Sequence, residues 1–373
     1  MPVFVAELSQ EEKRKIEDIK QNMKCKTDYD VIKHLVENWW IEPGDIAAVN
    51  AITLKSWLPI WLDNIRDNLS EIWRGGDVED LFPDRERFDG HAVIIGGGPS
   101  LELNGRRQLK LIAEKYRGIV ICVDKTFNMA LEEGINPDYT PALDANPIVA
   151  SWFKLSKKAL RNYKRKTKFI AITSIHPETV KAMPGEKYWF NGGIDERMMP
   201  NVSQVIQALT KKTVMNPGFN TGCYSWILST ALKIKDVAMI GMEHAYPAES
   251  KLQDTQKFRS RVELIGGKMI DKQNGDFEIE FPCSRCQKEC TPPQGCMDQI
   301  YAFYFKGHND FFNTDYLSDG GWSVMAETFK KLFNHYKKET GDGITLTNCT
   351  PTGILNGDGI EQDYLENWLR KYE

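Results

Sequence analysis

No apolar run in the chain approaches the roughly 18 residues that a bilayer span requires, and no basic stretch is long enough to track a nucleic-acid backbone. Basic and acidic residues nearly cancel, 48 against 52, so nucleic acid is not an expected partner. The opening residues, MPVFVAELSQEEKRK, turn charged before the apolar core of a signal peptide could form. The expectation is a cytoplasmic protein without a membrane span. Internal repeats and low-complexity tracts are also lacking, which excludes solenoid and linker architectures. Eight cysteines are present, but Cys122 and Cys223 lie in apolar segments and four others crowd into residues 283–296. That distribution fits a reducing compartment with one local cluster better than a disulfide framework.

What is present is core-forming material. Hydrophobic residues make up 41% of 373 positions, with 17 Phe, 13 Tyr and 10 Trp, enough for one large core or for a core with a smaller appended domain. Residues 9–40 and 53–74 carry helical spacing, with Ile16, Ile19 and Met23, and later Trp57, Ile60, Trp61, Ile65 and Leu69, recurring every three or four positions. A helical N-terminal region over residues 1–85 follows, its aromatic stripe read as core.

From His91 the pattern changes. HAVIIG, GIVICVD, YTPALD, KFIAITS, KYWFNG and DVAMIGME are short apolar runs bounded by turn residues and separated by segments long enough for crossover helices. They predict an α/β domain over residues 86–250, a mostly parallel sheet with helices on both faces whose ligands sit at the carboxyl ends of the strands. Residues 251–320 break this rhythm with polar stretches, the cysteine cluster and the aromatic run Tyr301 to Phe305, and read as a lid or insertion. Residues 321–373 return to order, with the helix VMAETFKKLFNHYKKET and a last strand GITLTNC completing the α/β domain.

The chemistry is expected at four places. The first is the turn Gly96, Gly97, Gly98, Pro99, Ser100, between a strand and a helical segment, where glycine lets main chain approach a phosphate. It is not a Walker loop, since no Gly-Lys-Ser/Thr follows, and it lacks full GxGxxG spacing. A tight structural turn is the competing account. The second is a pair of strand-end acids, Asp124 and Asp144, placed to hold a ribose, a divalent metal or an acceptor hydroxyl, or simply to cap the next helix. The third is the loop Asn216, Pro217, Gly218, Phe219, Asn220, Thr221, Gly222 ahead of an apolar helix, with Glu243 and His244 at the end of the following strand, where acid–base groups are useful. A lone histidine is as readily structural. The fourth is Cys283-x2-Cys286-x3-Cys290-x5-Cys296. Four thiolates at this spacing can close a structural zinc site, can hold an iron–sulfur cluster, or can stay free or paired.

The succession VIIGGGPSL, VDKTFNMALEEGINPDYTPALD and NPGFNTGCYSWILSTALKIKDVAMIGMEHAYP resembles the archaeal 6-hydroxymethylpterin diphosphokinase (MptE-like) family. That family includes bacterial motility-accessory, flagellin-modifying proteins, and is more distantly similar to bacterial sialyltransferases that use CMP-sugars. The resemblance spans about residues 60–260 and resumes at the tail, Asn348-Cys-Thr-Pro-Thr-Gly353-Ile-Leu-Asn-Gly357. It implies a Rossmann-like transferase that binds a nucleotide donor, ATP or a CMP-sugar, through the GGGPS loop and Asp124, with Asp144 and the Asn216–Gly222 loop facing the reacting group. In the diphosphokinase branch, magnesium would bridge the phosphates and acids as diphosphate passes from ATP to a pterin hydroxymethyl group. In the glycosyltransferase branch a base would deprotonate an acceptor as CMP leaves, and His308 is the nearest match to the lid histidine of the sialyltransferases. The acceptor would be a small molecule or a glycan. The long helical N-terminal region and the insertion depart from the compact diphosphokinases and lean towards sugar modification. A nucleotide-binding regulator that kept the pocket without catalysis is the reading from another class.

Overall fold

The apolar strand segments owe their shape to burial on both faces. In Ala92, Val93, Ile94 and Ile95, all fully buried, the side chains alternate. Ala92 and Ile94 join one core cluster and Val93 and Ile95 the opposite one, as a strand with helices on either side must. Each of the Val and Ile side chains contributes about 1.5–3 kcal/mol by leaving water. A computed structural model describes residues 46–193, 202–255, 258–264, 267–271, 277–280, 301, 303–341 and 343–373.

All the predicted strands form. In chain order they are β1 (Gly76–Asp77), β2 (Asp89–Ile95), β3 (Ile119–Cys122), β4 (Tyr139–Ala142), β5 (Lys168–Ile172), β6 (Lys187–Gly192), β7 (Val214–Met215) and β8 (Ile234–Ile240), with β14 (Thr345–Asn348) and β15 (Glu361–Gln362) from the tail. They make one ten-stranded sheet ordered β1-β6-β5-β4-β3-β2-β8-β14-β15, with β7 attached to β6. Every pairing in it is parallel. The chain progresses from β2 to β6 in one direction and then returns to lay β8 and β14 on the other side of β2. The order reverses at β2, and open α/β sheets bind ligands outside the carboxyl ends of their strands at such a point.

The helix predicted over 53–74 runs Ile46–Arg74. Leu58, Leu62 and Ile65 pack on Val202, Val205 and Ile206, and two buried amides tie the helix to the turn after β5, Asn64 Nδ2 donating to Ser174 O at 2.9 Å and Asn68 Nδ2 to Ile175 O at 2.7 Å. The helical spacing over 9–40 lies outside the described residues. No described helix is long and apolar enough to cross a membrane.

The region after β8 carries its own strands, β9 (Tyr246–Pro247), β10 (Lys268–Asp271), β11 (Phe277–Glu280), β12 (Tyr304–Asn309) and β13 (Thr314–Asp319). β12, β13 and β9 form an antiparallel sheet, and β10 pairs with β11. The aromatic run therefore feeds β12. Asp319 caps the predicted C-terminal helix, its Oδ1 accepting from the N–H groups of Gly321 and Trp322, so the helix starts at Gly320 and runs to Glu339. Phe329 and Phe333 of this helix meet Trp226 edge to face in the main core.

Candidate functional site

The glycine turn closes β2 as expected. A short 3₁₀ segment, Pro99–Gly105, follows it, and the α-helix begins only at Arg107 because Gly105 and Arg106 both adopt positive φ and break the helical path. The N–H groups of the turn are largely committed. Gly96 N–H donates to Ile240 O at 2.8 Å and Gly98 N–H to Gly241 O at 2.9 Å, which staples the turn to the end of β8. Pro99 has none, and Ser100 N–H donates to Glu243 Oε1 at 2.8 Å.

The reason for glycine here is close approach. A Cβ at Gly96 would fall 2.3 Å from Gly241 O, and one at Gly98 would fall 1.4 Å from Glu243 Oε2. The space over Gly98 thus holds a buried carboxyl of the protein itself. The Ser100 hydroxyl lies beside the same carboxyl without reaching hydrogen-bond geometry, and neither Glu243 Oε2 nor Ser100 Oγ has a partner. Burial raises the Glu243 carboxyl above the usual carboxylate range, partly opposed by these donors and by Lys125.

Asp124 stands two residues beyond β3 and is 3% exposed. Its Oδ1 accepts from Lys125 N–H at 2.8 Å while Oδ2 has no partner. Burial pushes this carboxyl up to about 7, with the charge of Asp144 adding to the rise and Lys125 opposing it. Asp144 is exposed at the end of β4 and accepts from Asn146 N–H at 2.9 Å, a turn-capping bond. The sheet therefore brings the two acids within electrostatic reach. Lys125 lies across the turn with Nζ 3.0 Å from Gly97 O, and Thr126 Oγ1 donates to Gly96 O at 2.9 Å.

The third loop meets the same place through a histidine. Asn216 Oδ1 accepts from Gly218 N–H at 2.9 Å, shaping the turn in which Gly218 takes φ +65. Asn220 is the N-cap of the helix Thr221–Ala231, its Oδ1 accepting from Cys223 N–H at 3.0 Å. That cap fixes the amide, so Asn220 Nδ2 donates to His244 Nε2 at 3.1 Å. Gly222 lets the helix press on the end of β8, since a Cβ there would lie 2.2 Å from Met242 Sδ. His244 is buried with φ +48, a sparsely populated conformation for a side-chain-bearing residue. Burial pushes its imidazole down to about 4, partly offset by the nearby Met242 carbonyl, which closes no hydrogen bond to Nδ1.

Residues beyond the expected set complete the cluster. The tail after β14 folds back so that Thr350 Oγ1 accepts from Met242 N–H at 3.1 Å and Ile354 N–H donates to Glu243 O at 2.9 Å. Gly353, at φ +99, has its Cα against the Glu243 main chain, where a Cβ would stand 2.1 Å from Glu243 O. The β12–β13 hairpin is pinned to this tail by Asn309 Nδ2 to Gly353 O at 3.2 Å and Thr314 Oγ1 to Pro351 O at 2.8 Å, and Ser318 Oγ donates to His244 O at 2.8 Å. Lys125, Thr350 and Gly353 are not among the site residues expected from the sequence; the signals that could have found them are adjacency to Asp124 for Lys125 and the polar tail motif for Thr350 and Gly353.

His308 is placed differently. It is exposed on β12 and bonds Asp315 across the hairpin at 2.6 Å, which raises its imidazole pKa. Its partner is on the hairpin rather than among the acids at the ends of the parallel strands. Cys283, Cys286, Cys290 and Cys296 lie outside the described residues. Among the described residues no group of three or more His, Cys, Asp or Glu side chains is arranged to hold a metal ion.

A family model described as 6-hydroxymethylpterin diphosphokinase MptE-like matches residues 63–249, from the helix before β1 to the segment after β9. The chain belongs to the MptE-like family. This segment contains the glycine turn, Asp124, Asp144, the Asn216–Gly222 loop and His244. A solved structure titled as a MAf glycosyltransferase, from Magnetospirillum magneticum AMB-1, matches with a TM-score of 0.51 at 11% identity, over 82% of this chain and 38% of that one. The likeness shows the α/β fold, and the chain spans little over a third of that protein's length. No curated protein sequence matches.

Proposed function

We propose that this MptE-like protein is a nucleotide-dependent transferase that holds its donor at the carboxyl ends of β2, β3 and β8 and passes a group to a hydroxyl of a small molecule or glycan. The observation that carries the reading is Asp124, a buried carboxyl with one oxygen unpartnered, just beyond the strand next to β2 and its glycine turn. In a dinucleotide-type sheet that position belongs to the acid that accepts from the ribose hydroxyls. A buried polar atom without a partner costs about 1–3 kcal/mol, which a bound hydroxyl would recover.

Glycosyl transfer from a nucleotide sugar is the form supported best. The fold likeness to the MAf glycosyltransferase extends over 82% of the chain, well beyond the family segment. Asp144, exposed beside Asp124, is the group for the acceptor side, where a carboxylate can take the hydroxyl proton. Diphosphoryl transfer is the second reading, favoured by the family description. Magnesium bound between the acids and the donor phosphates would there neutralise developing charge.

A thermal-shift panel of nucleotides and nucleotide sugars, with and without magnesium, tests the proposal, since a ligand that binds only the folded state raises its stability. A shift with CMP- or UDP-sugars without metal supports glycosyl transfer, and one with ATP and magnesium supports the kinase. Asp124→Ala should abolish the shift. Asp144→Ala should keep it while abolishing turnover. A nucleotide that binds without turnover on any donor and acceptor would make the chain a regulator.

A further inference from the structure

Asp124 and Glu243 are built alike. Each is a buried carboxyl just past the end of its strand, with one oxygen held by a main-chain N–H, Lys125 for Asp124 and Ser100 for Glu243, and the second oxygen left without a partner. They flank the glycine turn from the two sides of β2, since β3 and β8 are its sheet neighbours. The turn between them offers little to an anion. The N–H groups of Gly96, Gly98 and Ser100 are already donated, and the volume over Gly98 is filled by Glu243. Lys125 is the cation at this point, exposed and lying on Gly97 O.

We propose that Glu243, with Asp124 on the other side of β2, makes the glycine turn a reader of uncharged hydroxyl and amino donors on the nucleoside part of the donor, and that the phosphates are not bound on the turn. The inference rests on the nucleotide reading above and reverses the role of the turn within it. A carboxyl oxygen accepts from O–H or N–H groups and, when ionised, repels phosphate oxygens, so an unpartnered acceptor on either side of the turn selects hydroxyl or amino groups over phosphate. Gly98 is then required by Glu243 and not by a phosphate. Lys125, exposed with its ammonium on Gly97 O, is the cation beside the turn that is left for the phosphate. An exposed charge of this kind adds no more than about fivefold in affinity.

The test is isothermal titration of the whole protein with cytidine, adenosine and uridine against their mono- and diphosphates, with inorganic phosphate as competitor. The expected result is that the best nucleoside binds within about tenfold of its monophosphate, that inorganic phosphate does not compete, and that Glu243→Gln, which swaps one acceptor oxygen for an amide donor, weakens the nucleoside at least about tenfold. Unfolding midpoints of the variant verify its fold, and Lys125→Ala, at an exposed position, supplies a second handle, expected to erase the small preference for phosphate and leave nucleoside affinity in place. A monophosphate that binds a hundredfold more tightly than its nucleoside, or competition by inorganic phosphate, would overturn the inference while leaving the nucleotide reading standing. Failure of every nucleoside and nucleotide to bind would remove both.

Discussion

Gly98 and Glu243 compete for one volume, for a Cβ on Gly98 would stand 1.4 Å from Glu243 Oε2. The relationship links the end of β2 to the end of β8, and it explains the turn without any ligand. Gly98→Ala should destabilise the protein by about 1–3 kcal/mol through overpacking against a buried side chain. Combined with Glu243→Ala, the same substitution should cost markedly less, because the atoms it collides with are gone. Chemical denaturation of the two single variants and the double variant measures the coupling. Additive effects would show that the two positions are independent.

Asp124 makes stability depend on pH. Burial holds its carboxyl at about 7 in the fold, whereas in the unfolded chain it ionises near ~3.9. The folded state retains the proton more strongly, so stability present below pH ~3.9 is lost as pH rises towards 7. Glu243, also raised, acts in the same direction. Asp124→Asn should flatten the decline between pH 4 and 7 and leave the variant more stable than the parent at pH 8, while weakening nucleotide binding. Unfolding midpoints across that range decide it. A variant less stable at pH 8 would mean that the ionised form is favoured in the fold.

Asn220 fixes the protonation of His244. Because its Oδ1 is held by Cys223 N–H, its Nδ2 must face the imidazole, so His244 Nε2 accepts. Asn220→Asp keeps the cap but replaces the donor by an anion. The imidazole should then carry its proton on Nε2 and titrate well above its present value of about 4. Nitrogen NMR of the histidine ring reads both changes. Asn220→Ala should instead cost about 1 kcal/mol of stability by removing the cap. An unchanged tautomer in the Asp variant would dissociate the two residues.

The four clustered cysteines make a separate prediction from spacing alone. Metal analysis of the purified protein should find about one equivalent of zinc, lost when Cys283 and Cys286 become Ser, as a site of four thiolates requires. Iron with sulfide in place of zinc would assign a cluster, and no metal would leave the thiols free or paired.

Much of the fold was legible because burial on both faces of a parallel sheet writes short continuous apolar runs, and VIIG, IVIC and VAMI could hardly be anything else. The glycine turn, Asp124, Asp144 and the Asn216–Gly222 loop were legible for a related reason. Turn residues and acids at strand ends fall on the ligand side of such a sheet whatever its strand order. Which of them meet was decided only in three dimensions. Strand order put β8 against β2, and with it Glu243 into the space over Gly98, 145 positions away along the chain. The tail returned Thr350 and Gly353 to the same point, while hairpin register paired His308 with Asp315 instead. Local sequence carries periodicity and turn chemistry, which act over a few residues. The contact that fills the space over Gly98 with the Glu243 carboxyl is long-range, and it exists only once the sheet has chosen its order.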